Sequence, residues 1–472
     1  MYKTYHSVQD IDKILEKSKN IFFIGIGGVS MSSLAHISAE KGLNVKGSDR
    51  TMSPITQKLE EQNIEIFYEH KAENVKGCDA VVYTAAISED NPELVYAKEH
   101  GIELIYRADY LGYIMSKYEY RVGVSGMHGK STATSMTSHI FLNAKVNPTV
   151  ILGAVMKELE GGTYRRGSEK YFIMEACEYC DSFLSFTPNI AVVLNIEMDH
   201  PDYFKDLEHI KDSFRKYISI ADNGFAVVNW DDCNVRDISA NYKGKLIKFG
   251  INSEDLDYKA VNISYENGKP CFDIIKGEKT LARINLSVTG EHNIMNALAS
   301  TAVADICNIE AEDIKRGLES YSGADRRMEY KGKICGGKAD LYEDYAHHPT
   351  EIKATLKGAK MLAKNDVWCV FQPHTYTRTA ELFEDFAKSF SGVKPIFADI
   401  YAAREINTTG ISSKHLADRI DGALYLDSFE KIADYLKENV AHDDMVIIMG
   451  AGDVNQICTL FGESENDKKV NA

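Results

Sequence analysis

Gly126-Met127-His128-Gly129-Lys130-Ser131-Thr132 is the stretch that decides how this chain folds. It follows the apolar run Tyr120-Arg121-Val122-Gly123-Val124, which reads as a short buried strand, and precedes residues 133–141, which can run as a helix. Strand, glycine loop, Lys-Ser and helix together make a phosphate-binding loop. Glycines let backbone N–H groups turn inward around a phosphate, and the helix N-terminus adds partial positive charge. Lys130 is expected to reach the β- and γ-phosphates of a nucleotide, with the Ser131 hydroxyl on Mg²⁺. Val124 stands where the first glycine of the full pattern belongs. The bland alternative is a tight strand-to-helix turn with a solvated lysine.

The strands around this loop point to the same site. Residues 171–174 read as a strand running into Glu175-Ala176-Cys177-Glu178, and residues 190–194 as another running into Asn195-Ile196-Glu197-Met198-Asp199-His200-Pro201. Neighbouring strand ends in such a domain face one nucleotide, and a carboxylate suits Mg²⁺. Residues 241–288 alternate polar and apolar with glycine turns, which predicts an antiparallel excursion. Gly290-Glu291-His292-Asn293-Ile294-Met295-Asn296 then opens a helix through Ile306. Gly161, Gly162 and the polar run to Lys170 read as a surface loop.

Upstream, residues 21–25 read as a strand buried on both faces, followed by Gly25-Ile26-Gly27-Gly28-Val29-Ser30, a helix over 31–41, and a second strand ending in Ser48-Asp49. This βαβ unit carries a near-dinucleotide fingerprint with the acid placed for a ribose contact, but Ser30 replaces the third glycine. A phosphate-bearing ligand at the helix N-terminus is better supported than NAD. A further strand over 79–84 leads into Ala85-Ala86-Ile87-Ser88, and a last one over 102–106 leads to Arg107.

Downstream, Gly323-Ala324-Asp325-Arg326-Arg327-Met328-Glu329 reads as a linker into a third segment of the same rhythm. Its strands lead into Glu343-Asp344-Tyr345-Ala346-His347-His348-Pro349, Gln372-Pro373-His374-Thr375-Tyr376-Thr377-Arg378, Ala402-Ala403-Arg404-Glu405 and Gly450-Ala451-Gly452-Asp453. The tail, 463–472, is polar and reads as disordered.

Composition bounds the rest. A chain of 472 residues is too long for one core, so three domains are expected. The net charge of −16 argues against a general nucleic-acid or anionic-membrane binder. No apolar run approaches the roughly 18 residues that cross a bilayer. The N-terminal stretch is polar and mixed in charge, unlike a signal peptide. Nine scattered cysteines fit a reducing cytoplasm, and the one C-x-x-C, Cys177 to Cys180, reads as two bystander thiols.

With these stretches in hand, the chain resembles the Mur ligases. Eight ordered motifs carry the likeness: residues 25–33, 126–132, 175–184, 195–200, 290–296, 344–351, 371–378 and 450–453. The resemblance implies an α/β protein of three domains. These are a Rossmann-like UDP-sugar-binding domain over 1–108, a central ATP-binding phosphate-loop domain over 109–324, and a Rossmann-like domain over 325–472 that binds the amino acid and closes over ATP.

It also implies ATP-dependent joining of L-alanine to the lactyl carboxylate of UDP-N-acetylmuramate through an acyl phosphate, with Mg²⁺, in peptidoglycan precursor synthesis. By this resemblance Gly25, Gly27, Gly28, Val29, Ser30, Asp49, Ser88 and Arg107 would hold the UDP-sugar. Gly126, Met127, His128, Gly129, Lys130, Ser131, Thr132, His292, Asn293, Asn296, Arg327 and Asp344 would hold ATP. Ser131, Glu175 and His200 would serve the metal, and His347, His374 and Arg378 would line the amino-acid and muramyl end. Lys130, Glu175, His200, Arg327 and His348 would be catalytic. A histidine titrating near neutrality is expected to take the proton of the attacking amine. Met127 stands where the family usually has Thr. The rivals are a relative that adds a preformed peptide to the same sugar nucleotide, a non-catalytic nucleotide-binding regulator, and an NAD-dependent oxidoreductase, which leaves Lys130 and Glu175 without a role.

Overall fold

The structure is a computed structural model describing residues 5–159 and 162–462. The tail read as disordered lies outside the described residues, as does Gly161 of the expected loop. Three sheets are built in turn, and strands buried on both faces such as Ala80–Tyr83, Ile190–Val193 and Val367–Phe371 form their centres.

The first sheet is parallel, in the order Glu65–Phe67, Asn44–Ser48, Asn20–Ile24, Ala80–Tyr83, Glu103–Tyr106. The order reverses direction at Asn20–Ile24, so a crevice opens at its C-terminal end, where Gly25 begins the glycine loop. The helix Arg107–Ser116 follows directly and runs across residues 108 and 109. The short edge strand Glu65–Phe67 has no apolar alternation to betray it.

In the second sheet the phosphate-loop strand Tyr120–Ser125 lies between Ile190–Val193 and Tyr171–Glu175, parallel to both. Both polar strand ends therefore flank the loop. Phe225–Asn229, Lys245–Gly250 and Tyr258–Glu266 continue the sheet in parallel on one side. Only from Tyr258–Glu266 onward is the excursion antiparallel, through Lys269–Lys276 and Lys279–Asn285. The first hairpin turns on Asn267 and Gly268, both at positive φ (50° and 71°), the pair that a tight twisted hairpin requires. In place of the expected loop, Gly162–Arg165 forms an edge strand antiparallel to Thr149–Met156. Thr163 and Tyr164 suit a strand, and the sheet edge offers them a partner.

Behind the loop, helix Lys130–Asn143 packs on helix His292–Ile306 through small side chains. Thr137 donates to Ser300 Oγ at 3.0 Å, and Ser300 donates to the Ala133 carbonyl at 3.2 Å. The third sheet runs Glu329–Ile334, Ala339–Asp344, Asp444–Met449, Val367–Phe371, Lys394–Phe397, Leu424–Tyr425. All its pairings are parallel except the first, an entry hairpin that the sequence pattern did not reveal. Among the described residues, no helix is long and apolar enough to cross a membrane.

Candidate active site

The phosphate loop is held open by backbone geometry that glycine permits. Gly126 and Gly129 lie at φ 140° and 82°, and Gly129 forms the left-handed cap of the helix Lys130–Asn143. A Cβ at Gly129 would meet Asn296 Oδ1 at 3.0 Å, so the helix His292–Ile306 closes against the loop itself. Asn195 clamps the loop from the neighbouring strand end. Its carbonyl takes the Met127 N–H at 3.2 Å, its Oδ1 takes the His128 N–H at 2.8 Å, and its Nδ2 donates to the His128 carbonyl at 3.0 Å.

Lys130 curls back over the loop. Its Nζ donates to the carbonyls of Gly126 (2.6 Å) and Met127 (3.1 Å) and to Glu178 Oε1 (3.0 Å). Burial alone would lower its pKa, but the Glu178 carboxylate raises it, so the charge is retained. Beside it, Ser131 donates to Glu175 Oε2 at 3.1 Å, and Glu175 Oε1 accepts the Gly153 N–H at 2.7 Å. Arg327, from the linker, donates to the same Ser131 hydroxyl at 3.3 Å. Hard oxygen donors next to a phosphate loop fit Mg²⁺. His200 joins this group at one remove, its Nε2 lying 3.2 Å from Glu178 Oε1, with its backbone at φ 52°.

The third domain supplies the opposite wall. Asp344 is buried at the end of Ala339–Asp344, accepting from the N–H groups of Met328 and Ala346, both at 2.8 Å. Burial raises its pKa, against the pull of Arg327. Arg378 pairs with Asp199 of the second domain, and its other terminal nitrogen lies 3.3 Å from His374 Nδ1. His347 lies 3.4 Å from Glu351. His348 caps the helix Pro349–Leu362, its Nδ1 3.4 Å from the Thr350 nitrogen. Thr132, Asn293, Asn296, Arg327 and Asp344 line a cavity of about 770 Å³, with the exposed His292 at its mouth. That space suits a nucleotide between the second and third domains.

His347, His374 and His128 do not titrate near neutrality in this arrangement. Burial lowers His347 to about 4, against the opposing pull of Glu351. Burial and then Arg378 lower His374 to about 4. Burial and then His128 push His348 down. For His128, burial is outweighed by Glu351 and Glu197, which raise it to about 10.

In the first domain, Arg107 donates to Ser30 Oγ at 3.0 Å, so the residue that departs from the glycine pattern gains a cation. Gly28 caps the helix Val29–Glu40. Asp49 lies against the glycine loop: its Oδ2 accepts the Gly27 N–H at 2.9 Å and its Oδ1 accepts the Arg50 N–H at 2.7 Å. Ser88 is exposed on the loop after Ala80–Tyr83, whose Thr84 and Ile87 would each lie 3.6 Å from a Cβ at Gly25. The first-domain residues thus gather at one crevice, apart from the cavity above.

The sequence reading missed Glu178, Asn195, Asp199, Glu197 and Glu351 as members of the site. All five lie within stretches already singled out; only Glu178 and Glu197 are acids three or four residues beyond a strand end, the one local signal available.

Comparison with known proteins bears on this arrangement. Three family models match in order: the Mur ligase family catalytic domain over 20–119, the Mur ligase middle domain over 124–304, and the Mur ligase glutamate ligase domain over 326–452. A UDP-N-acetylmuramate–L-alanine ligase of Clostridium tetani is 47% identical over 454 residues, 95% of this chain and 98% of that protein. One of Acetivibrio thermocellus is 49% identical over 452 residues, 94% and 96%. The crystal structure of a UDP-N-acetylmuramate–alanine ligase from Thermotoga maritima superposes with a TM-score of 0.78 at 25% identity, covering 96% of this chain and all (100%) of that one.

Proposed function

The chain belongs to the Mur ligase family, and we propose that it joins L-alanine to the lactyl carboxylate of UDP-N-acetylmuramate with ATP, in peptidoglycan precursor synthesis. One observation carries the reading: Ser131 of the phosphate loop meets Glu175 on one side and Arg327 of the linker on the other, beside a nucleotide-sized cavity. The relatives that match almost the whole chain carry this activity in their names.

The work divides by domain, with residues 1–108 for the UDP-sugar, 109–324 for ATP and 325–472 for the amino acid. The scattered cysteines fit a reducing cytoplasm. The lactyl carboxylate attacks the γ-phosphorus, giving an acyl phosphate and ADP. The neutral L-alanine amine then attacks the acyl carbon, and phosphate leaves. Lys130 and Arg327 supply fixed positive charge where negative charge collects in both steps. Ser131 and Glu175, with His200 nearby, would hold Mg²⁺, which would supply Lewis-acid charge when bound.

His347 and His374, neutral because burial lowers their pKa, sit with Arg378 at the amino-acid end. Closure of the third domain on the second, through Arg378–Asp199 and the Thr350 hydroxyl donating to Glu197 at 2.8 Å, keeps water from the acyl phosphate. An oxidoreductase gains no support, since it leaves Lys130 and the Ser131–Glu175 contact without a role.

Phosphate release from ATP, measured with UDP-N-acetylmuramate and each candidate amino acid or peptide, tests the reading. L-alanine is expected to give the fastest release. Faster release with an L-alanine-containing tripeptide would assign the chain to the peptide-adding relatives instead.

A further inference from the structure

Four ionisable side chains converge at the seam of the second and third domains, apart from the Ser131–Glu175 pair. His128 comes from the phosphate loop and Glu197 from the segment after Ile190–Val193. His348 and Glu351 come from the start of the helix Pro349–Leu362. His128 Nε2 is in ion-pair contact with Glu197 Oε1, and its Nδ1 lies 3.2 Å from Glu351 Oε1. His348 Nδ1 lies 3.7 Å from Glu197 Oε1, and the two imidazole rings are 4.5 Å apart. One ligand atom from each of His128, Glu197 and His348 falls within 4.8 Å of the other two.

An ion-pair cluster explains His128 but not His348. His348 is only 4% exposed, and its Nε2 has no hydrogen-bond partner among the described residues. A second imidazole pressed against a first one that is already charged adds nothing to such a cluster, because two imidazolium ions repel. Two imidazoles and a carboxylate converging from different elements form, instead, a donor set that borderline transition metals take and Mg²⁺ does not favour.

We propose that His128, Glu197 and His348 form a binding site for a divalent transition metal of the Zn²⁺ class, assembled only when the third domain closes on the second. The donors come from two domains, so a bound ion ties them together. Because His128 and Glu197 also line the nucleotide cavity, the ion holds the cleft shut and opposes nucleotide exchange. It is distinct from the Mg²⁺ that Ser131 and Glu175 would hold, and its consequence is inhibition of turnover by free Zn²⁺.

The test uses the full-length protein with Mg²⁺ in excess, titrated with Zn²⁺ against a chelating dye and, separately, with Co²⁺ followed by visible absorption. Wild type is expected to bind Zn²⁺ and to melt at a higher temperature with it. Zn²⁺ binding should weaken by about tenfold or more in both His348→Asn and Glu197→Gln. Melting of each metal-free variant checks its fold, and Cys177→Ser is expected to keep wild-type binding. The Co²⁺ spectrum should lack a thiolate charge-transfer band, which separates this site from the cysteines. Absence of Zn²⁺ binding by wild type, equal binding by a folded His348→Asn or Glu197→Gln, or a thiolate band would each overturn the proposal.

Discussion

Arg378 grips Asp199 across the domain seam: its Nε and a terminal nitrogen reach the same Oδ1 at 3.0 and 2.9 Å, although 179 residues separate the two. Both side chains are nearly dry, at 7% and 3% exposure. Burial would raise the Asp199 pKa, but the guanidinium overrides it and keeps the carboxylate charged. Removing one partner of a buried pair costs about 3–5 kcal/mol, because the other charge is left dry and alone. Because the two residues belong to different domains, the loss should fall on closure more than on folding. Arg378→Ala is expected to lower kcat by at least about tenfold, or ~1.4 kcal/mol, with a smaller change in Tm than the pair's burial implies. Steady-state phosphate release and thermal unfolding on the same preparation check this. Unchanged kcat would mean that the pair does not hold the closed form.

Lys130→Ala should lose roughly 10²-fold or more in turnover, since a charge aimed at the transferred phosphoryl group disappears from a dry site. Glu178 provides the comparison. Its carboxylate lies 2.9 Å from Lys130 Nζ and 3.2 Å from His200 Nε2, so it positions two members of the site without itself facing the cavity. Glu178→Gln keeps the shape and should cost less than Lys130→Ala. Near-normal turnover of Lys130→Ala would unseat the phosphate-loop assignment.

What the sequence reveals of this site, and what it hides, follows from the range of the interactions. Lys130, Ser131 and Glu175 were legible because glycine spacing and strand ends are local patterns, and parallel packing brings such ends together without further information. Asp49 is harder to read for the opposite reason. An acid after the second strand serves equally to contact a ribose or to take the Gly27 N–H, and only the loop's final path decides. The edge strands Glu65–Phe67, Gly162–Arg165 and Glu329–Ile334 carry no clean alternation, since each owes its form to the neighbour it pairs with. The carboxylates around His128 come from positions far apart in the chain, so no spacing rule could join them.

In the first domain, Arg107 and Ser30 predict a separable defect. Arg107 is half-buried and donates to Ser30 at the start of the glycine-loop helix. A cation there complements a diphosphate at a helix N-terminus. Arg107→Ala should raise KM for UDP-N-acetylmuramate by about tenfold, the equivalent of one charge-assisted contact, while leaving KM for ATP within about twofold. Initial rates with each substrate varied in turn measure it. An equal rise in both constants would show that Arg107 supports the fold and not the sugar nucleotide.

His128 makes the stability of the closed form depend on pH in a direction the structure specifies. Its ordinary pKa is 6.5; burial would lower it, but Glu351 and Glu197 raise it to about 10. A group raised in the folded state contributes fully below its unfolded value, and that contribution fades as pH climbs through the folded one. The His128 contribution is therefore complete below about 6.5 and is lost toward 10. Its two partners act at the other end: burial would raise Glu197 and Glu351, but the surrounding histidines hold both below 4.5, so their contribution is present above that value and lost as pH falls. Other groups titrate over the same range, so the informative quantity is the difference between wild type and His128→Gln. Wild type should melt at a higher temperature near pH 6, and the gap should narrow steadily as pH rises toward 10. Thermal unfolding of both proteins at intervals across that range measures it. A gap that stays constant would mean the imidazole carries no extra proton between its two carboxylates.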